Sequence, residues 1–552
     1  MLITCNDGGQ LEKQVLLAPV HIAPVNGSRI AWDLRTLTKI ADGGYARIIE
    51  LCDQRLASVY SRGSNLYIKW SNDKGETWHS EKELFTGDDN YTMTNAEAIQ
   101  LDDNSIIVGC NRRVRRDSWG GDYKYGILIR KSTDLGQTWK EPQLIYHAGN
   151  HSDIGCWEPV FLQLPSGELQ CYFANEFPYS QTNEQEISLL RSHDRGNSWT
   201  NNIETACFAA NSRDGMPVPI FQESENRILL AIEENYGDHV LQPVIIKMPL
   251  DDNWKNGYVS GNDPRRIHAV PGFDPSRYAG APYLAQLKTG ELIICYQDRE
   301  GRTNHFEVMM VRIAGDLDDH FNRESKPFDI SPEENGLWNS LCVLDQGAVL
   351  AVTSTSAFDG GVYMIRGRVL SELKIARINS ENLPEEILYD REKSQIFIGH
   401  LPGKILESNL NYSDSNLIVS GMISDFSEAW FEAEGSNSGM RFFIDPDNLS
   451  LDAPGAGIYR FQLDMDRKLE VYEGYGSRWV RKEEDRLIQT EVISSTGELH
   501  FRIKIPWSVM GGKPESECRI NFSIYDEYAQ FCEPVCSTIE NASYSWIRSE
   551  LK

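Results

Sequence analysis

An all-β chain, a six-bladed β-propeller followed by a β-sandwich domain, is predicted by three observations: an octapeptide returning at one spacing, six copies of a strand-turn-strand unit, and a late change to short alternating segments. The octapeptide reads Ser-x-Asp-x-Gly-x-x-Trp and stands at Ser71 to Trp78, Ser132 to Trp139 and Ser192 to Trp199, with starts 61 and 60 residues apart. Such a pattern describes a hairpin turn. Asp bonds amides of its own turn, Gly takes the positive φ that a tight turn needs, and Trp packs back between neighbouring sheets.

The wider unit is an apolar strand, a turn and a second apolar strand, read in YARIIELCDQRLASVY, NAEAIQLDDNSIIVGC, EPVFLQLPSGELQCYF, GMPVPIFQESENRILLAIE, APYLAQLKTGELIICYQ and NSLCVLDQGAVLAVTS. These six copies span about residues 45 to 355, and a further pair of strands follows each. A four-stranded sheet cannot bury both of its faces alone, so six of them close into a ring. Degenerate turns at Asp251 to Trp254 and Asp316 to Phe321 fit blades four and five.

After RGRVL, from Arg366, the repeat stops, and the acidic stretch SENLPEEILYDREKS marks a boundary. The expected division is a propeller over 1–375, a linker over 376–394 and a sandwich over 395–552, with a fragment from near 390 folding by itself. Segments such as MRFFID, GIYRFQLD and ELHFRIKIPW carry the alternation of half-buried strands.

With 54 Lys and Arg against 81 Asp and Glu, the formal charge of −27 repels nucleic-acid backbones and anionic membranes, so neither is expected as a partner. The first twenty residues lack a basic region followed by a long apolar one, and no run of eighteen apolar residues occurs. The eleven cysteines are scattered, several inside apolar strands, which favours a reducing cytoplasm. Cys532 and Cys536 in CEPVC have no second pair of ligands nearby, so no metal and no cofactor is expected.

The three octapeptides resemble the Asp boxes of the sialidase-like superfamily, and the resemblance covers about residues 20 to 375. It implies the propeller and says little of the reaction, because Asp boxes lie at outer turns. KIPWSVMGGKPESECRINFSIYDEY resembles the closing strands of family 9 carbohydrate-binding modules, and the aromatic residues Trp430, Tyr475, Trp479 and Trp507 are candidates to stack on sugar, with Trp507 equally suited to the core.

In a propeller the first strand of each blade lines the channel. Polar residues just before the apolar runs are therefore the site candidates: Arg47, Asn95, Glu97, Glu158, Arg213, Asp214, Tyr283, Trp338 and Asn339. Arg113 joins them from the basic cluster Arg112, Arg113, Arg115 and Arg116 on a long blade-two loop. Glycoside cleavage needs one protonated carboxyl to donate to the leaving oxygen and one ionised carboxyl to attack or to activate water. Glu158 in GCWEPVFLQL and Glu233 at the end of RILLAIE are the two that stand out, with Glu176 in reserve. Between Trp157 and Pro159, Glu158 is placed for desolvation and hence for the acid role.

The WEP segment with LPSGELQCYFANE, and the stretch from GMPVP to AIEEN, are similar to glycoside hydrolase family 93, the exo-arabinanases. That resemblance implies an exo-acting retaining hydrolase of α-L-arabinofuranosides, with Glu158 as acid/base and Glu233 as nucleophile, acting on an oligosaccharide or polysaccharide. Two other readings stand beside it. A sialidase would use Tyr283 as nucleophile and an arginine clamp from Arg47, Arg213, Arg299 or Arg302, and a glycan-binding protein without catalysis would leave Glu158 and Glu233 dispersed.

Overall fold

A computed structural model describes residues 18–116, 119–237, 239–299, 301–303, 306–317, 320–378, 394–399, 404–425, 438–495, 497–526 and 531–552, with two short strands at Ile3–Cys5 and Leu11–Lys13. Among the described residues helix is confined to 3-10 turns of three or four residues, and the rest of the regular structure is strand. The chain divides into two units, residues 36–367 and residues 1–35 with 368–552.

The first unit is the propeller. Its blades begin with the strands Gly44–Glu50, Tyr91–Gln100, Cys156–Gln163, Gly215–Gln222, Ala279–Gln286 and Gly336–Val343, and three further strands follow outward in each sheet, with Val259–Ser260 added as a fifth strand at the edge of blade three. Each of these six first strands contacts those of the blades before and after it, the sixth meeting the first, so together they form the inner wall of a ring. Blade six takes its outermost strand from the N-terminal segment Arg29–Ala41, which pairs beside Gly361–Leu370. Chain ends from both sides of the repeat thereby share one sheet.

The octapeptides form the turns their composition predicts. In the second, Ser132 Oγ donates to Asp134 at 2.7 Å and accepts from the Gly136 amide at 2.9 Å, while Asp134 accepts from the Thr138 amide at 2.8 Å. Gly136 has φ of +87°, and the first and third copies repeat the arrangement around Asp73 and Asp194. Hydrogen bonds from Thr138 and Ser198 hold Asp134 and Asp194 down at about 2. Each turn's aromatic residue packs against the preceding blade: Trp78 on blade six, Trp139 on blade one and Trp199 on blade two. The degenerate turns do the same, with Trp254 in the core between blades three and four and Phe321 in that between blades four and five.

The second unit is the sandwich, formed as a continuous curled sheet. The order runs from Arg478–Lys482 through Ser438–Asp445, Glu517–Asp526 and Ile547–Leu551 to Leu373–Arg377, then through Lys404–Tyr412 and Asn416–Asp425 to Glu498–Pro506 and Gln489–Ser495. Leu373–Arg377 joins the two halves by parallel pairing on both sides. Both halves contribute to one core, Phe442, Phe461 and Phe522 from one, Val419, Phe501 and Ile503 from the other.

The boundaries differ from the expected ones. Residues 1–35 and the strand Leu373–Arg377 group with the sandwich rather than with a propeller over 1–375, because that strand closes the seam between the two half-sheets. A fragment from near 390 would lack this strand and is no longer expected to fold intact. Most of the expected linker, from 379 to 393, lies outside the described residues, as does Trp430. Trp507 is core, its indole donating to the Ser413 carbonyl at 3.0 Å, and Trp479 is half-buried on Asn541, which leaves Tyr475 as the exposed ring of the three described.

Candidate active site

All six inner strands carry a register shift at the same place, and at each shift one residue that is not glycine sits in the left-handed region. These are Tyr45, Asn95, Glu158, Met216, Ala281 and Trp338, with φ between 48° and 55°. Such a conformation costs about 1 kcal/mol or more for a residue with a Cβ, and six copies in register are sustained because the ring of packed strands imposes them. A bulge re-aims the side chain it carries. Glu158, Met216 and Trp338 accordingly line one cavity of about 460 Å³, with Arg113, Trp157, Glu176, Gln185, Arg213, Glu233 and Leu241 around them.

Glu158 is reached by a short relay. Arg113 donates to Asn95 Oδ1 at 2.8 Å, and Asn95 Nδ2 donates to Glu158 Oε1 at 2.9 Å, which fixes the amide's orientation. The Arg113 guanidinium lies over the Trp157 ring at 4.7 Å and stands 3.9 Å from the same carboxylate oxygen. Burial pushes Glu158 up to about 7; Arg113 opposes the shift, and the nearby carboxylates of Glu233 and Glu176 add to it.

Glu233 arrives from the second strand of blade four, Arg227–Glu234. Its Oε2 accepts from the Ala281 amide at 2.6 Å. The carboxylate fits between two strand starts that have no side chain: a Cβ at Gly280 would lie 2.6 Å from Oε2, and one at Gly215 would lie 3.0 Å from Oε1. Burial raises its pKa, while the Ala281 amide and the charge of Arg213 favour the ionised form. The Tyr278 hydroxyl crowds the same side of Gly280, 2.6 Å from the position of that Cβ.

The remaining expected residues divide. Trp338 lines the cavity with 41 % of its surface exposed and rests against Tyr45 at 5.9 Å. Arg213 and Glu176 also face the cavity as an ion pair, in which Trp157 Nε1 donates to the second Glu176 oxygen at 2.9 Å. Arg47 lies out of reach as a buried support, 3.4 Å from Glu97 and below the Tyr45 and Tyr283 rings. Burial lifts Glu97 to about 7 despite that arginine.

Three expectations are corrected by burial. Asp214 is fully buried and holds Arg266 through both carboxylate oxygens, so it braces blade four. Asn339 is buried and donates to the Gly336 carbonyl of its own strand at 3.1 Å. Tyr283 packs in the core between blades four and five, 5.1 Å from the Arg47 guanidinium, and is not among the cavity residues. Of the basic cluster only Arg113 turns inward; Arg112 stacks on Tyr91 and Arg115 donates to Ser64. Arg299 pairs with Glu307, and Arg302 donates to the carbonyls of Ile330 and Ser331, which leaves neither for a clamp. Gln185, Met216, Leu241, Ser152 and Asp153 join the lining from loops and a bulge that carried no signal of their own, while Gly215 and Gly280, which begin GMPVP and GAPYL, make the room that Glu233 occupies.

Residues 54–242 match the family described as BNR repeat-like domain. No curated protein matches the chain. Among solved structures, the chain is similar to the glycoside hydrolase family 93 α-L-arabinofuranosidase of Fusarium graminearum in complex with arabinobiose, at 15 % identity and a TM-score of 0.45, covering 63 % of this chain and 97 % of that one. It is similar to the α-L-arabinanase of Penicillium chrysogenum complexed with arabinobiose at 16 % identity and a TM-score of 0.44, covering 63 % and 98 %. The NanB sialidase of Streptococcus pneumoniae follows at 10 % identity and a TM-score of 0.42, covering 65 % and 70 %. At these identities the likeness is one of fold.

Proposed function

We propose that the propeller is an exo-acting retaining glycoside hydrolase in which Glu158 is the acid/base and Glu233 the nucleophile. The observation that carries the reading is the pairing of two carboxyls of unlike surroundings in one cavity. Glu158, lifted to about 7 by burial, still carries a proton for the leaving oxygen in about half of the molecules at neutral pH, whereas Glu233, though also raised by burial, is drawn towards the anion by an amide and an arginine. Attack by Glu233 on the anomeric carbon forms the glycosyl ester as the Glu158 proton passes to the departing oxygen, and Glu158 then takes a proton from the water that releases the sugar. Trp338 offers the exposed ring face on which a sugar stacks.

The substrate class we infer is α-L-arabinofuranosides. An aryl α-L-arabinofuranoside and a short α-1,5-arabinan are expected to be cleaved, with the first-formed sugar retaining its anomeric configuration by NMR. An inverted product, or no cleavage of either, would remove this reading. One observation favours a second reading, a sialidase: Arg113 and Arg213 both face the cavity, and the tyrosine beside Glu233 is Tyr278 rather than Tyr283. An aryl sialoside run in parallel separates the two.

Arg113 is a positioning residue, and its effect has a sign. Its charge opposes protonation of Glu158, so Arg113→Gln should raise the Glu158 pKa further and move the alkaline limb of kcat/KM to higher pH. A pH profile with the limb unmoved, or moved down, would show that Arg113 does not act on this carboxyl.

A further inference from the structure

On the face of the blade-four strand opposite to Glu233, three potential ligands meet. Glu234, His239 and His268 each bring one ligand atom, and these atoms all lie within 4.8 Å of one another. Glu233 and Glu234 are consecutive in a strand, so their side chains leave it on opposite faces. Glu234 is buried, His239 is 14 % exposed and His268 is exposed at the rim, which leaves a path from solvent.

The tautomer of His239 is set by its neighbours. Its Nδ1 lies 2.8 Å from the Val240 carbonyl, which only accepts, so Nδ1 carries the proton and donates it. In the neutral ring Nε2 is then a lone pair. That atom is buried, has no hydrogen-bond partner among the described residues, and stands 4.0 Å from Glu234 Oε1. Two acceptors face each other across a gap too wide for a hydrogen bond, an arrangement that a cation between them relieves. Ligand atoms around a tetrahedral zinc stand roughly 3.4 Å apart, given bonds of about 2.1 Å, so small side-chain rotations suffice. The His268 ring lies 5.4 Å from that of His239, nearly perpendicular to it.

The surroundings are those of an oriented ligand set. Arg266 holds the other oxygen of Glu234 and is itself held by Asp214, which leaves Oε1 for a ligand role, just as the Val240 carbonyl orients His239. Two carboxylates against one guanidinium leave one negative charge in the cluster when both are ionised. A pair of imidazoles selects zinc and its transition-metal neighbours over calcium or magnesium.

We propose that Glu234, His239 and His268 bind a divalent transition metal of the zinc class as a structural ion. It ties the outermost strand, Arg266–His268, to the connection that leaves Glu233 and leads to Leu241 in the cavity wall. No step of glycoside cleavage passes through it, so the site stands or falls separately from the proposed reaction.

The test uses the full chain, stripped with a chelator and titrated with Zn2+, then with Co2+ as a spectroscopic probe. One equivalent is expected to bind and to raise the melting temperature, with Ca2+ and Mg2+ failing to compete. The Co2+ form should show visible d–d bands without a thiolate charge-transfer band, which excludes the exposed Cys52 and Cys532 as ligands. His268→Ala, a change at an exposed ring, and His239→Gln should each weaken Zn2+ binding by about 100-fold or more while leaving the melting temperature of the stripped protein close to wild type. Absence of a zinc-dependent rise in melting temperature, a thiolate band, or binding unchanged in both variants would each overturn the proposal.

Discussion

Glu233→Gln is expected to abolish cleavage of every glycoside tested, by a factor of about 10⁴ or more, or ~5 kcal/mol of barrier. The amide has nearly the size and shape of the carboxylate, so the close fit against Gly215 and Gly280 is kept, and its oxygen still accepts from the Ala281 amide. Lost is the negative charge that attacks the anomeric carbon, and no activated leaving group replaces it. Steady-state rates on an aryl α-L-arabinofuranoside and on arabinan should fall together while the melting temperature stays near wild type. The competing chemistry has its own signature. If Glu233→Gln and Glu158→Gln both retained turnover while Tyr278→Phe were dead on an aryl sialoside, the tyrosine beside Glu233 would be the nucleophile and the arabinanase-like assignment would fall.

The architecture was legible because the octapeptide makes nearly all of its bonds within itself. Ser132, Asp134, Gly136 and Thr138 satisfy one another over a few residues, so the motif survives as sequence wherever the turn survives as structure. The six inner bulges had no such trace. Their residues are Tyr, Asn, Glu, Met, Ala and Trp, since the left-handed conformation is imposed by the neighbouring strands rather than by the residue. Glu158 was legible by its flanking Trp and Pro, and Glu233 by its place at a strand end. Asp214 stood among the channel candidates by its place before a strand, and it is the long-range partner Arg266, 52 residues further on, that makes it a brace. Asn339 and Tyr283 fell to a different cause: a polar residue at a strand start faces the channel or the core according to a one-residue register. The N-terminal strand Arg29–Ala41 in blade six, and the seam strand Leu373–Arg377, pair only with segments remote in the chain, and the expected boundaries missed both.

Glu158→Gln should behave differently from Glu233→Gln, and the difference assigns the two roles. The wild-type alkaline limb of kcat/KM is expected near pH 7: Glu158 is pushed up to about 7, the protonated form is the donor, and activity falls as that proton is lost. In the variant the limb should disappear, because Gln does not titrate. Cleavage of arabinan, whose leaving alcohol needs a proton, should drop by about 10²–10⁴-fold. An aryl glycoside with an activated phenol scarcely needs that proton, so its first step should be largely spared and seen as a burst of phenol, followed by slow release of sugar for want of a base. Azide needs no deprotonation. Added to the variant it should restore turnover of the aryl substrate and yield a glycosyl azide of retained anomeric configuration, through the space that Glu158 leaves beside Asn95 and Arg113. An azide product of inverted configuration would mean direct displacement from the substrate, with no ester on Glu233, and failure of azide to rescue a folded Glu158→Gln protein would take the acid/base role from Glu158.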